Sequence, residues 1–318
     1  MALPWGIWFE PTQPVRRIVE LARLAEGEGA EVCFIADEGT ERDVYVTLTA
    51  VLLATERLVV GPAITNPFSR HPVTTAAAIA TLHEMAPGRV WHGLGVGGSR
   101  VLEPLELTPD RPLTALREAV TVNTELLAGR SVGRARIIWT EGAIPLAMAG
   151  RGPKAQALAA EKADWVILSA KAPADLPEAA ARIRSAGRAK IAWSVYLAYA
   201  EDERRRVLRH FAYMAVDAPP ETRAAVGLDD DRLEHVRREM LAGRMEKATD
   251  YLPDALVDRY AIAGSPGECA AAIAALRPHF DLFMLPLNDE ARAEDHIRIS
   301  AGILRLAGDA PLPLSSSQ

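Results

Sequence analysis

The segment that decides the fold is Gly61–Ser99, which reads GPAITNPFSRHPVTTAAAIATLHEMAPGRVWHGLGVGGS. Leu58–Ile64 is an apolar run of strand length, and Thr74–Met85 is alanine-rich with helical spacing. A second strand is predicted over Arg89–Leu94, and closely spaced glycines follow it. Strand, helix and strand in this order are typical of a parallel sheet. The pattern therefore predicts a surface of backbone amides, large enough to bind a ligand, where two parallel strands end.

The same alternation of strands and helices extends along nearly the whole chain. Strands are predicted over residues 5–10, 31–36, 58–64, 89–94, 144–149, 165–168, 191–199 and 282–285, each followed by a helix. Eight such units predict an α/β protein with a (β/α)8 TIM barrel, which needs roughly 250 residues. An open doubly wound sheet is the alternative.

We expect residues 1–318 to form a single barrel domain with two insertions. The first insertion lies near residues 131–142, where Val132–Glu141 has the pattern of a short hairpin. The second covers residues 201–258 and is long, helical and charged. It is predicted to lie over the barrel mouth or at a subunit contact.

Composition and charge limit which binding partners and which cellular compartment are expected. The net charge is −6, with 49% hydrophobic and 25% charged residues, and no basic stripe alternates with aromatic residues. A nucleic-acid partner is therefore not expected. No apolar run approaches the ~18 residues that span a membrane, and no signal-peptide pattern is present, so a cytoplasmic protein is predicted. Cys33 and Cys269 lack neighbours at metal-ligand spacing, so neither a metal site nor a disulfide is predicted.

Two glycine-containing segments follow predicted strands. Gly93–Ser99 lacks the full dinucleotide-binding spacing, which leaves either a tight turn or a ligand-binding loop. Gly150–Lys154 opens a helix with Pro153 in its first turn. The free amides and dipole of that helix attract an anion, and Arg151 and Lys154 add positive charge. This segment is interpreted as a phosphate cradle or as an ordinary helix start.

Carboxylates mark the ends of the first two predicted strands. Asp37 and Glu38 follow the second strand, where barrel enzymes place catalytic residues, although a helix cap or loop ion pair is the alternative. Of these two, Glu38 is expected to be the more solvated. Trp8 and Glu10 share one face of the first strand. If that face is inward, Trp8 lies in the barrel and Glu10 is a candidate general acid at its mouth; otherwise Glu10 is a surface residue. His92 either points into the barrel or is a buried core histidine.

Several segments in the same order resemble the luciferase-like superfamily of flavin and deazaflavin enzymes. They cover residues 43–50, 61–72, 75–82, 88–97, 150–154 and 261–266. The branch they most resemble is the methylenetetrahydromethanopterin reductases, which use the deazaflavin coenzyme F420. The resemblance runs from about Trp5 to Leu285. It implies a (β/α)8 barrel with insertions, a homodimer, and a cofactor lying across the C-terminal mouth.

The resemblance also implies which residues hold the cofactor. In the family, a non-proline cis peptide at the end of the third strand backs the deazaflavin ring, and the corresponding bond here is Ala63–Ile64. The implied contacts to the ring and its side chain come from Asp37, Ala63, Ile64, Thr65, Asn66, Gly95, Val96 and Gly97. The implied contacts to the phosphate come from Gly150, Arg151, Gly152, Pro153 and Lys154.

The chain departs from the reductases where they carry acids. Trp8 stands where the reductases have a glutamate, Gly98 where they have an aspartate, and Glu38 where many relatives have histidine. Methylenetetrahydromethanopterin is therefore not assigned as the substrate. Trp8, Phe9 and Gly98 are predicted to line a flatter, more apolar substrate pocket, with Glu10 or Asp37 as the catalytic acid.

The function implied by the resemblance is that of an F420-dependent oxidoreductase. Such an enzyme passes a hydride between reduced F420 and a small organic substrate with an electrophilic C=N or C=C bond. An FMN-dependent monooxygenase of the same superfamily is the first alternative. A non-catalytic barrel that binds the cofactor is the second.

Overall fold

A computed structural model describes residues 3–140, 142–150, 152–287 and 291–310. The strands in this part of the chain are β1 (Trp5–Phe9), β2 (Val32–Ile35), β3 (Val59–Pro62), β4 (His92–Leu94), β5 (Leu146–Ala149), β6 (Trp165–Ser169), β7 (Lys190–Ser194), β8 (Tyr196–Ala198), β9 (Ala261–Ala263) and β10 (Leu282–Pro286). The helices are α1 (Val15–Gly27), α2 (Val44–Ala54), α3 (Pro72–Met85), α4 (Ser99–Leu102), α5 (Pro112–Leu127), α6 (Pro153–Lys162), α7 (Leu176–Ala186), α8 (Glu201–Asp217), α9 (Pro220–Ala225), α10 (Asp230–Leu241), α11 (Met245–Thr249), α12 (Ala255–Tyr260), α13 (Pro266–Leu276) and α14 (Ala293–Asp309). No helix in these ranges is long and apolar enough to cross a membrane.

Helix starts follow local chemistry. Asp43 caps α2, where its side chain accepts hydrogen bonds from the backbone N–H groups of Tyr45 and Val46. Ser265 and Glu268 form a reciprocal capping box at the start of α13. Proline, which needs no hydrogen-bond acceptor in the first turn, opens α3, α5, α6 and α13.

The barrel consists of eight parallel strands in the order β3-β2-β1-β10-β7-β6-β5-β4. Its two end strands, β3 and β4, meet through isolated bridges that pair Val60 with Val90 and Thr65 with Leu94. The N–H of Thr65 donates to the carbonyl of Gly93 at 3.1 Å. These bridges join the two end strands on either side of a bulge, so the predicted (β/α)8 barrel is confirmed.

Glycines let β3 and β4 pass closely at this bulge. A Cβ on Gly93 would lie 1.8 Å from the carbonyl oxygen of Pro62, and one on Gly61 would lie 2.6 Å from the carbonyl oxygen of Trp91. No side chain fits at these distances, so close backbone packing requires glycine here. The Ala63–Ile64 peptide in the same bulge is cis, as the resemblance implied.

Side chains that alternate along the strands form an inner and an outer apolar layer. Trp8 packs on the inner layer with Phe34 and Trp91, so its predicted inward direction is confirmed. Phe9 belongs to the outer layer, where it is 1% exposed and packs beneath the helices. The prediction that Phe9 lines the substrate pocket is therefore wrong, because it is one residue out of phase with Trp8.

His92 also lies on the outer side of its strand. Its neighbour Trp91 belongs to the inner layer, and the ring of His92 faces Asn123 of α5. Burial lowers the pKa of His92 to about 4, so the ring is neutral at pH 7. His92 is thus a core histidine outside the barrel mouth.

The structure refines two predicted segments. The predicted seventh strand is divided into β7, which belongs to the barrel, and β8, which pairs with β9 in a separate two-stranded parallel sheet. Between residues 131 and 140, Val132 and Ala135 form one isolated antiparallel bridge in place of a paired hairpin. Glu141 lies outside the described residues.

The insertion at residues 201–258 is helical, as predicted, and packs on its own apolar cluster, which includes Phe211, Leu233 and Val236. Its first helix, α8, carries Tyr213, whose ring centroid lies 4.8 Å from the guanidinium carbon of Arg100. Arg100 follows β4 at the C-terminal end of the barrel. This contact brings the Tyr213 part of α8 to the barrel mouth, which agrees with the first of the two predicted positions.

Candidate active site

The ends of β2 and β3 bring two predicted cofactor contacts together. The hydroxyl of Thr65 donates to Oδ2 of Asp37 at 2.7 Å. Thr65 is fully buried, and Asp37 is partly buried at the barrel mouth. The hydrogen bond holds the carboxylate of Asp37 in one orientation beside the bulge of β3.

Asn66 presents an unused donor next to this pair. Its Oδ1 accepts hydrogen bonds from the backbone N–H groups of Phe68 and Ser69, both at 2.9 Å, which hold the side chain in a turn. Asn66 is 1% exposed, and its buried Nδ2 has no hydrogen-bond partner within the described parts of the chain. An unmet buried donor costs about 1–3 kcal/mol. The group is thus suited to donate to a bound ligand.

Trp8 fixes the bulge from the inside of the barrel. Its Nε1 donates to the carbonyl oxygen of Ala63 at 2.8 Å. The next side chain, Ile64, packs against Gly95, where a Cβ would lie 2.5 Å from Cδ1 of Ile64. Ala63, Ile64 and Gly95, predicted from separate segments, therefore form one continuous surface.

In the glycine loop after β4, Val96 and Gly97 are partly buried, whereas Gly98 is exposed. Val96 is partly buried, and Gly97 has a φ of 72° with its Cβ position 3.5 Å from the side chain of Asn66. Gly98 is exposed, and a Cβ there would meet nothing within 4 Å. Open space thus lies at the position where the resemblance places an acid in the reductases.

Arg100 connects two carboxylates from different strand ends. It forms a bidentate pair with Glu10, with N–O distances of 2.7 and 2.9 Å. Its Nε lies 3.2 Å from Oε2 of Glu38. Glu10, predicted as a possible free general acid, therefore has both oxygens engaged by a guanidinium.

Glu38 is the most deeply placed member of this cluster. Its side chain is 13% exposed, against 18% for Glu10 and 30% for Arg100. The expectation that Glu38 is more solvated than Asp37 stays a prediction, since both residues are partly buried. Burial raises the pKa of Glu38, and nearby Glu10 and Asp37 add to the rise, while the charge of Arg100 opposes it.

Sequence reasoning missed Arg100 and Tyr213. Arg100 lies just after the glycine loop at the end of a barrel strand, a position that favours functional side chains. No pattern in the sequence links it to Tyr213, because their contact depends on how the insertion folds back over the mouth.

The predicted phosphate cradle lies between the end of β5 and the first turn of α6. A Cβ on Gly150 would lie 2.5 Å from Cβ of Ala155, and Nε2 of Gln156 donates to the carbonyl of Gly150 at 3.3 Å. Gly152 precedes the first residue of α6, Pro153, and Lys154 follows in the first turn. The start of α6 therefore faces the barrel mouth. Arg151 lies outside the described residues.

The fold and the site can now be compared with known proteins. The profile of the luciferase-like monooxygenase family matches residues 2–279. This chain belongs to the luciferase-like monooxygenase family. The 5,10-methylenetetrahydromethanopterin reductase of Methanolobus tindarius is 28% identical over 292 residues, which cover 85% of this chain and 90% of that protein.

Two further proteins are similar to this chain over most of its length. The F420-dependent glucose-6-phosphate dehydrogenase 1 of Rhodococcus jostii is 27% identical over 318 residues, which cover 87% of this chain and 90% of that protein. The structure of the coenzyme F420-dependent tetrahydromethanopterin reductase from Methanopyrus kandleri matches with a TM-score of 0.81 at 23% identity, over 95% of this chain and 98% of that one. The resemblance stated from the sequence is confirmed.

Proposed function

We propose that this chain is an oxidoreductase that uses coenzyme F420 to transfer a hydride to or from a small organic substrate. The observation that carries the proposal is the wall around the β3 bulge, where the buried donor of Asn66 has no partner among the described residues. Similarity to an F420-dependent dehydrogenase along 87% of the chain supports the choice of coenzyme.

The described residues fit such a coenzyme. Gly95 and Gly97 offer backbone without side chains, the amide of Asn66 offers a donor, and the start of α6 offers amides to a phosphate. The residues proposed to hold the ring are Asp37, Ala63, Ile64, Thr65, Asn66, Gly95, Val96 and Gly97. Those proposed to hold the phosphate are Gly150, Arg151, Gly152, Pro153 and Lys154.

When bound, reduced F420 supplies a hydride, and the protein supplies orientation, shielding and protons. Trp8 and Gly98 are proposed to line the substrate pocket, one as an aromatic wall and the other as open space. Asp37, held by Thr65, would present its carboxylate to the coenzyme beside the bulge of β3. Glu10 holds Arg100 at the mouth. We propose an electrophilic C=N or C=C bond as the reacting group.

Titrations of the purified protein with F420 and with FMN, followed by fluorescence, test this proposal. We expect F420 to bind with a Kd on the order of 1 μM, or about −8 kcal/mol, and FMN to bind at least about tenfold more weakly. The reverse order of affinities would contradict the proposal. It would favour an FMN-dependent monooxygenase, which oxygen uptake in the presence of reduced FMN would then reveal.

We also propose that the chain forms a homodimer through α2. This helix is apolar on all sides, yet Val46 is 64% exposed and Leu53 is 72% exposed, and the two lie two turns apart on one face. A helix that is apolar all round is normally covered all round. A second copy of the same face would cover this one, as in a two-fold symmetric dimer.

The double variant Val46→Glu/Leu53→Glu is expected to convert the dimer to a monomer, because it places four charges in an apolar interface. Light scattering after size-exclusion chromatography measures the mass directly. Leu241→Glu is the matched control, since Leu241 is 90% exposed on α10 of the insertion. A monomeric wild type, or a double variant that stays dimeric, would contradict the proposal.

A further inference from the structure

The carboxylates at the barrel mouth differ in what holds them. Both oxygens of Glu10 accept hydrogen bonds from Arg100, and Oδ2 of Asp37 accepts one from Thr65. No hydrogen bond from the described residues reaches the buried Oε2 of Glu38. Its 3.2 Å approach to Nε of Arg100 is an ion-pair contact without hydrogen-bond geometry. Glu38 is therefore the carboxyl with room for a proton.

We propose that Glu38 is the proton donor to the substrate, a role that rests on the proposed function, and that Arg100 is the positioning residue that holds Glu38 at the mouth. Arg100 is itself fixed on two further sides. Glu10 clamps its guanidinium from the end of β1, and the ring of Tyr213 covers it from α8 of the insertion. The end of β1, the segment after β4 and α8 thus hold Arg100 in place, and Arg100 in turn holds the carboxyl of Glu38.

The groups that face Glu38 act on its pKa in opposite directions. Burial raises the pKa of Glu38, and the carboxylates of Glu10, Asp37 and Glu41 raise it further. The guanidinium of Arg100 acts in the opposite direction and stabilises the carboxylate that remains after proton transfer.

The electrophilic carbon gains the hydride that reduced F420 supplies, and the π electron pair of its C=N or C=C bond moves to the second atom. That atom takes the proton from the carboxyl of Glu38. The products are the reduced substrate, oxidised coenzyme and the Glu38 carboxylate, which then regains a proton from water at the mouth.

Carbon NMR of the full chain, labelled at glutamate side-chain carboxyls, tests the resting state without any turnover. One resonance, absent from Glu38→Gln, is expected to titrate above the ordinary glutamate pKa of about 4.3. Arg100→Gln should move that titration to still higher pH, because it removes the charge that lowers the pKa. Glu84→Gln, at an exposed residue of α3, should leave the titration of the Glu38 resonance unchanged. A Glu38 resonance with an ordinary pKa would overturn the proposal.

Single-turnover oxidation of bound, reduced F420 by a panel of cyclic imines and enones tests the proton transfer. The wild-type rate should fall as pH rises through the Glu38 titration, and this falling limb should move to higher pH in Arg100→Gln. Glu38→Gln should be about 100-fold slower or more, with partial rescue by Glu38→Asp and no change in Glu84→Gln. Normal F420 binding with undiminished turnover by Glu38→Gln would overturn this inference alone. Failure of the wild type to bind F420 would overturn the proposed function and the inference with it.

Discussion

Replacing Gly93 by alanine is expected to lower the free energy of unfolding by about 3 kcal/mol or more. The added Cβ would lie 1.8 Å from the carbonyl oxygen of Pro62, which is backbone and cannot rotate away. Relief requires β3 and β4 to separate where the barrel closes. Urea unfolding followed by circular dichroism would show the loss as a lower midpoint.

Gly98→Ala is the matched control for this measurement. Gly98 lies in the loop that follows the same strand, and a Cβ there would meet nothing within 4 Å. Its unfolding midpoint should stay close to that of the wild type. Equal midpoints for the Gly93 and Gly98 variants would show that the close approach of β3 and β4 is not required.

Replacing Asn66 by aspartate is expected to weaken F420 binding about 10- to 100-fold. The change keeps Oδ1, which accepts the two backbone hydrogen bonds from Phe68 and Ser69, and converts the unpaired Nδ2 donor into an acceptor. Losing one donor to a ligand and leaving the ligand acceptor unpaired costs about 1.4–2.7 kcal/mol. Fluorescence titration measures the change in Kd.

The control for Asn66→Asp is the isosteric exchange Asp309→Asn, at an exposed residue that ends α14. It should leave F420 affinity unchanged. The thermal midpoint of Asn66→Asp, measured without coenzyme, separates a binding defect from a folding defect. Unchanged affinity in Asn66→Asp would show that its side chain does not donate to the coenzyme.

The barrel was predictable because its determinants are local. The periodicity of each strand and helix and the prolines that open helices can be read from neighbouring residues. The Ala63–Ile64 cis peptide was predicted through the resemblance to the family. The errors at Phe9 and β8 have a different origin. Successive side chains of a strand point to opposite faces of the barrel. A shift of one residue therefore moves a side chain from the barrel interior to the layer beneath the helices.

The candidate site was predictable only in part, because some of its contacts join segments that are far apart in the chain. Thr65, Asn66 and the glycine loop lie at strand ends, where barrel topology alone brings them to one mouth. The burial of Glu38 depends on Arg100, and Arg100 is held by Glu10 and covered by Tyr213, which comes from the insertion. Such contacts join residues that no sequence spacing relates.

The amino-acid sequence by itself determined the (β/α)8 barrel and the family to which the chain belongs. These properties follow from periodicity and short motifs, each of which is encoded within a few residues. Only the tertiary structure decided how the carboxylates Glu10 and Glu38 are paired and buried, and that Tyr213 of the insertion contacts Arg100 at the mouth. Those properties depend on distances and desolvation between segments far apart in the chain, and such distances exist only after folding.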